Sequence, residues 1–319
     1  HKWVMSFDLN SLYPHLMMQY NISPETLKSL RTIEGMKVDK LLKKEVDTSV
    51  LKNTTMTPNG ALFKTNVKGF LPELMEDMYN DRVIYKKKML EAKQQYEDTK
   101  EPSLLKKISK YDNIQMARKI ALNSAYGAIG NQYFRYYSLA MAEAVTTSGQ
   151  LSIRWIENKV NEYMNDLLKT DGKDYVIASD TDSIYVTFGD LIDKFKPKSP
   201  VDFLDTIAKE KIEPFINKSY QELADYTHAF DQKMFMKREV IADKGIWTAK
   251  KRYILNAWDV EGVRYHEPTL KIMGIEAVKS STPEPCRIKI KEGLKIIMSG
   301  DEKMLNKFIQ DFRKEFMNM

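Results

Sequence analysis

Asp180 and Asp182 stand two residues apart in Asp174-Tyr-Val-Ile-Ala-Ser-Asp180-Thr-Asp182-Ser-Ile-Tyr-Val-Thr187. Two carboxylates this close repel each other unless a cation sits between them. The competing explanation is turn chemistry, in which an Asp bonds its own backbone. A metal site needs a third acid, and Asp8 is the candidate. It closes the apolar run Trp3-Val-Met-Ser-Phe-Asp8-Leu as the pair closes its own. If the two strands are neighbours, the acids converge at one sheet edge, where two Mg²⁺ ions roughly 3.5–4 Å apart could bind. Mg²⁺ takes few protein carboxylates and fills its octahedron with water and substrate phosphate.

Cations form the second constellation. Lys119, Asn123 and Tyr126 are spaced by four and three, so they share one helix face. Arg82 and Lys86 are four apart on an earlier helix. In an antiparallel pair the two faces oppose one cleft, and Arg82, Lys86 and Lys119 become three cations for a triphosphate. A solubilising surface stripe would use the same residues. Tyr126-Gly127 favours the cleft, because an aromatic beside a missing side chain lets a flat base approach.

The elements that must position these groups follow from pattern. The β-rich runs 175–178 and 184–187 read as a hairpin with the acids at its tight turn. Residues 2–7 begin a strand that ends at Asp8, and Ser11-Leu-Tyr-Pro14 leads into a helix-like stretch, 15–20. The stretch 33–51 is charged and ambiguous, and Thr57-Pro-Asn-Gly60 is a turn signal. A helix is expected over 71–95, with Pro72 in its first turn. A second is expected over 103–126, with Ser103 as its cap and Gly127 and Gly130 ending it. This antiparallel hairpin is Lys-rich and poor in aliphatic stripes, so it is expected to project from the body. The more apolar helix 139–165 should pack under the sheet, followed by a helix over 201–226 and strands over 234–242 and 248–258. Gly262 sits in a turn.

Composition narrows the class. A chain of 319 residues predicts two or three subdomains, and 43% hydrophobic residues suffice for a real core. One cysteine, Cys286, excludes a disulfide scaffold. His1, His15, His228 and His266 are too scattered for a His-based zinc site. No apolar run is long enough to span a bilayer, and no signal-peptide pattern is present. Residues 82–119 hold eleven Lys or Arg against five Asp or Glu, which accounts for the whole net charge of +6. A basic arm on a neutral body suits a phosphate-bearing partner. A strand that begins at once after His1 and an amphipathic end, 303–319, suggest part of a longer polypeptide.

These residues carry a family resemblance. Asp8-Leu-Asn-Ser-Leu-Tyr13-Pro14 resembles motif A of family B DNA polymerases, Lys119-Ile-Ala-Leu-Asn123-Ser-Ala-Tyr126-Gly127 their motif B, and Asp180-Thr-Asp182-Ser with Tyr185 their motif C. Lys250-Lys-Arg-Tyr253 resembles the basic-aromatic motif that follows. Asn21-Ile-Ser-Pro-Glu25, Thr57-Pro-Asn-Gly60 and Lys271-Ile-Met-Gly274 are most similar to replicative polymerases of T-even-type bacteriophages. The resemblance covers nearly the whole chain.

It implies an α+β fold: an antiparallel palm sheet backed by helices (1–68 and 132–272), an inserted helical-hairpin fingers subdomain (69–131) and the start of a truncated thumb (273–319). It implies that Asp8, Asp182 and the Leu9 carbonyl hold two Mg²⁺ ions, with Asp180 in a lesser part. Ser11 and Leu12 present backbone N–H groups to the dNTP triphosphate, and Arg82, Lys86, Lys119 and Asn123 bind it from the fingers. Lys119 either protonates the leaving group or acts by charge alone. Tyr13 is the gate against a 2′-hydroxyl, and Tyr126 and Gly127 pack on the nascent base pair. Lys250, Lys251, Arg252 and Tyr253 meet the primer-template DNA. The expected activity is template-directed nucleotidyl transfer to a primer 3′-OH, in the cytoplasm of an infected bacterium. The resemblance lacks the exonuclease and amino-terminal domains, so a separate chain supplying them is a possible partner. The alternative is a weakly active or inactive DNA-binding fragment of a split polymerase. An RNA polymerase or reverse transcriptase palm is disfavoured by Tyr13 and by the motifs.

Overall fold

The computed structural model describes residues 1–29 and 36–317. Its first strand, β1 (Lys2–Leu9), places Met5, Phe7 and Leu9 in the main core, while Val4 joins a smaller apolar cluster. Strand side chains alternate between faces, so Ser6 and Asp8 share the face of Val4. The chain then turns at Ser11, in left-handed conformation (φ 50°), into α1 (Leu12–Gln19). Next come β2 (Leu27–Ser29), α2 (Val38–Leu42), β3 (Thr54–Met56) and β4 (Leu62–Lys64), whose strands form a small sheet in the order β2-β4-β3. The ambiguous stretch 33–51 contains α2, and its first residues, 33–35, lie outside the described residues.

Helices α3 (Phe70–Thr99) and α4 (Ser103–Ile129) form the antiparallel hairpin, followed by α5 (Leu139–Leu168). The acid hairpin is β5 (Val176–Asp180) and β6 (Ser183–Thr187). After α6 (Gly189–Phe195), α7 (Pro200–Ile207) and α8 (Glu213–Tyr226) come β7 (Met236–Ala249), β8 (Arg252–Val260) and β9 (Val263–Met273), then α9 (Glu284–Ser299) and α10 (Glu302–Met317). The large sheet is antiparallel throughout, in the order β5-β6-β1-β7-β8-β9. Helices α5 and α8 back it, which makes the fold α+β as expected. Trp155 on α5 donates its indole N–H to the Ser219 carbonyl on α8 at 2.9 Å, and Tyr220 returns a bond to the Ser152 carbonyl at 3.2 Å. With one face closed by helices, the face carrying Asp8 stays open for a ligand. Among the described residues no helix is long and apolar enough to cross a membrane.

Several local expectations change. Gly127 lies inside α4, which runs on to Ile129 with Gly130 as its C-cap; Gly127 takes no positive φ and does not break the helix. Ser103 is the first residue of α4 rather than its cap, and its hydroxyl bonds Glu101. Residues 201–226 are not one α-helix: a π-type turn, Ala208–Ile212, precedes Pro214, which has no N–H to give. β7 continues to Ala249, so Lys250 and Lys251 form a turn where a strand was expected. The α3–α4 hairpin also does not project freely. Gln94 accepts the Arg264 N–H at 2.9 Å and Lys86 meets Glu261 at 2.8 Å, which braces α3 along the β8–β9 hairpin.

Candidate active site

Strand register brings two of the three acids together. Asp8 lies opposite Ser183 across β1 and β6, and the Leu9 N–H donates to the Asp182 carbonyl at 2.8 Å. In the β5–β6 turn Thr181 takes φ 55°, and the Asp182 N–H bonds back to the Asp180 carbonyl at 2.6 Å. A β-branched residue at positive φ is strained, a cost that recurs at functional sites. Asp8 and Asp182 both face a cleft of about 360 Å³. Asp180 does not line it; its carboxylate meets Lys251 at 2.9 Å and accepts the Thr181 hydroxyl at 2.9 Å.

Burial and crowding set the electrostatics. The Asp8 carboxyl is pushed up to about 8, first by burial and then by Asp182 and Glu239, with Lys86 and Lys271 opposing. Asp182 is also raised, mainly by burial, while Lys119 acts the other way. Partly buried carboxylates this close repel one another, and positive charge brought beside them relieves that repulsion. Among the described residues no three Asp, Glu, His or Cys side chains gather closely enough to hold an ion alone.

The opposite wall is cationic. Arg82 is 8% exposed; its guanidinium donates to the Ser11 hydroxyl at 2.8 Å and to Gln115 on α4 at 3.3 Å. That contact ties α3 to the turn before α1 and fixes Ser11, whose left-handed backbone points the chain into the cleft. His15 braces the same turn: its ring nitrogen lies 3.0 Å from the Ser11 carbonyl, and burial pulls its pKa down to about 4, so the ring is neutral and donates. Lys86, Lys119 and Asn123 complete the lining. Tyr13 rises from the floor to meet Tyr126 of α4, ring centroids 4.5 Å apart. The next residue, Gly127, faces open space: an added Cβ would meet nothing within 4 Å.

Ten of the residues singled out from sequence thus line one cleft: Asp8, Ser11, Leu12, Tyr13, Arg82, Lys86, Lys119, Asn123, Tyr126 and Asp182. Leu9 is buried beneath it. The basic-aromatic motif lies apart. Lys250 and Lys251 are exposed at the β7–β8 turn, Arg252 bonds the Gly274 carbonyl at 3.1 Å and pairs with Glu276, and Tyr253 is buried, accepting the Tyr185 hydroxyl at 2.7 Å. Gly274 (φ 66°) is required there, since a Cβ would lie 2.2 Å from the Lys251 carbonyl.

Asn10, Thr181, Glu239 and Glu261 also line the cleft and were not anticipated. Glu239 sits at a β-bulge: Ser6 pairs with Val240 and Phe7 with Arg238, so Glu239 is the extra residue. A bulge re-aims a side chain, and strand alternation gives no sign of it. Glu261-Gly262 closes the β8–β9 hairpin, and the glycine was legible as a turn while its acidic neighbour was not.

The whole chain, residues 1–319, matches the family model for DNA polymerase family B. It is 37% identical to a DNA-directed DNA polymerase of Escherichia phage RB69, over 95% of this chain and 39% of that protein. It is 33% identical to the DNA-directed DNA polymerase of Enterobacteria phage T4, over 100% of this chain and 41% of that protein. A DNA polymerase delta catalytic subunit of Schizosaccharomyces pombe is 34% identical over 58% of the chain. The chain therefore spans about two fifths of the length of the phage proteins it matches.

Proposed function

The chain belongs to DNA polymerase family B, and from that membership we propose that it is a template-directed DNA polymerase core, joining a dNTP to a primer 3′-OH. The observation that carries the reading is the meeting of Asp8 and Asp182 beneath Arg82, Lys86 and Lys119. The sheet, residues 1–68 and 132–272, is the palm; the hairpin, 69–131, is the fingers; residues 273–319 begin the thumb.

Asp8, Asp182 and the Leu9 carbonyl would hold two Mg²⁺ ions. When bound, the metal supplies activation of the primer hydroxyl and charge neutralisation at the triphosphate. The protein's own groups position the reactants. Ser11 and Leu12 offer N–H groups at the start of α1, Arg82, Lys86 and Lys119 bind phosphate oxygens, and Asn123 lies beside them. Tyr13 lies where the sugar must stand, so a 2′-hydroxyl meets its ring. Tyr126 and Gly127 offer a flat surface to the nascent base pair, and Lys250 and Lys251 reach the DNA backbone. Arg252 and Tyr253 hold that turn in place.

Primer extension by the purified chain with Mg²⁺ and four dNTPs tests the reading. Template-dependent extension is expected. The two-fifths coverage of the phage relatives favours a second reading, a DNA-binding portion that extends only when the residues those relatives carry elsewhere are added. Duplex binding without extension, restored by the complementary part of a relative, would select it.

A further inference from the structure

Lys86, one of the three cations facing the triphosphate site, already has an anion. Its ammonium lies 2.8 Å from a Glu261 carboxylate oxygen, with side-chain exposures of 27% and 31%. Glu261 lines the same cleft as Asp8 and Asp182, and its charge also acts on Arg82. It is held there by a tight hairpin turn. Val260 pairs with Val263, and the two residues between, Glu261 (φ 53°) and Gly262 (φ 86°), are both left-handed. Such turns prefer Asn or Asp before Gly, and a longer side chain in left-handed conformation is disfavoured. The Glu261 N–H bonds the carbonyl of bulged Glu239 at 2.6 Å, which fixes the turn against the palm strand. A carboxylate is thus kept, at a conformational cost, where incoming phosphate must bind.

We infer that Glu261 is a resident anion that occupies Lys86 until a triphosphate displaces it, and so sets how strongly the cleft favours a full triphosphate over shorter phosphate chains. This rests on the polymerase reading of the cleft. One ammonium cannot serve Glu261 and phosphate equally well. A triphosphate brings several negative charges and wins the exchange, whereas pyrophosphate or a monophosphate brings fewer and wins it less often. The carboxylate thereby weakens retention of the pyrophosphate product. It also tethers Lys86 to the β8–β9 hairpin in the nucleotide-free protein, so entry of substrate releases the α3 brace at that point.

The test uses Glu261→Gln, which keeps size and removes charge, and Glu261→Asn, which suits the left-handed turn better than glutamate does. Calorimetric titration with inorganic tripolyphosphate and with pyrophosphate in Mg²⁺ reads binding without requiring turnover. Both variants should bind tripolyphosphate more tightly, by roughly three- to fivefold, the scale of a partly exposed ion pair. Pyrophosphate should gain more than tripolyphosphate, so that the preference for the longer chain narrows; an unchanged preference counts against the inference. In extension assays the KM for dNTP should fall in both variants, and pyrophosphate should inhibit at lower concentration. A wild-type chain that binds tripolyphosphate, with variants binding it no more tightly, overturns the role of Glu261 and leaves the polymerase reading standing. A wild-type chain that binds no tripolyphosphate overturns both. A turn loosened by substitution would weaken binding in Glu261→Gln and not in Glu261→Asn, and that pattern also counts against the inference.

Discussion

Lys251 holds Asp180 at 2.9 Å, and Asp180 does not line the cleft that Asp182 enters. Two residues that look equivalent in sequence therefore have different partners, one a lysine on the β7–β8 turn and the other the Asp8 carboxylate. Substitution should separate them. On the proposed reading, Asp182→Asn is expected to lower extension by roughly a thousandfold or more, on the order of 4 kcal/mol of barrier, because it would remove a metal donor. Asp180→Asn leaves Asp8 and Asp182 in place and should cost about tenfold or less. Single-turnover incorporation measures both, and comparable losses would refute the division of labour.

The Tyr13 ring packs against Tyr126 of α4, so the gate proposed for Tyr13 would be braced by the α3–α4 hairpin as well as by α1. Tyr13→Ala should raise incorporation of a ribonucleotide relative to its deoxy counterpart by roughly a hundredfold, about the 2–3 kcal/mol that a steric clash of this size supplies. Tyr126→Ala should relax it less, by loosening the brace. Single-nucleotide incorporation with paired rNTP and dNTP substrates reads both, and unchanged discrimination in Tyr13→Ala would remove the assignment.

Much of this site was legible in the sequence because its signals are local. Asp8 and the 180–182 pair each close an apolar strand, and Arg82, Lys86, Lys119, Asn123 and Tyr126 follow helix spacing, so each helix shows one polar face, and the short 100–102 connection between the helices lets the two faces oppose each other. What was hidden depends on register or on distant contacts. Glu239 enters the cleft only because a bulge adds a residue between Arg238 and Val240. The separation of Asp180 from Asp182 depends on the left-handed Thr181 and on Lys251, seventy-one positions away in the chain. Lys-rich surfaces suggested a free-standing arm, but single polar bonds, Gln94 to the Arg264 N–H among them, brace α3 without an apolar stripe.

Asp8 makes a stability prediction with a definite sign. Its folded-state pKa is raised from 3.8 to about 8, so the native state resists losing this proton while the unfolded chain does not. The metal-free protein should therefore lose stability as pH rises from about 4 to about 8. Asp8→Asn removes the cost and should stabilise the metal-free protein at pH 8 by about 1–3 kcal/mol while abolishing extension. Mg²⁺ should raise the melting temperature of the wild type at pH 8 and have much less effect on the variant. Thermal melts in chelator and in Mg²⁺ at pH 5 and pH 8 check this; a wild type more stable at pH 8 than at pH 5 without metal would contradict it only if Asp8→Asn behaved the same way.

Gly127 sets helix stability against substrate fit. It lies within α4 with no positive φ, so its backbone conformation is open to any residue, and a glycine there costs the helix about 0.5–1 kcal/mol relative to alanine. An alanine Cβ would meet no protein atom within 4 Å. Gly127→Ala should accordingly raise the melting temperature of the free protein. If Gly127 lies against the nascent base pair beside Tyr126, the same methyl group collides with bound substrate, and extension efficiency should fall by about tenfold or more. The fall should appear mainly in the KM for dNTP in the presence of primer-template, with binding of duplex DNA alone less affected. A variant that is both more stable and equally active would place the base pair elsewhere, because nothing in the protein itself opposes the added carbon.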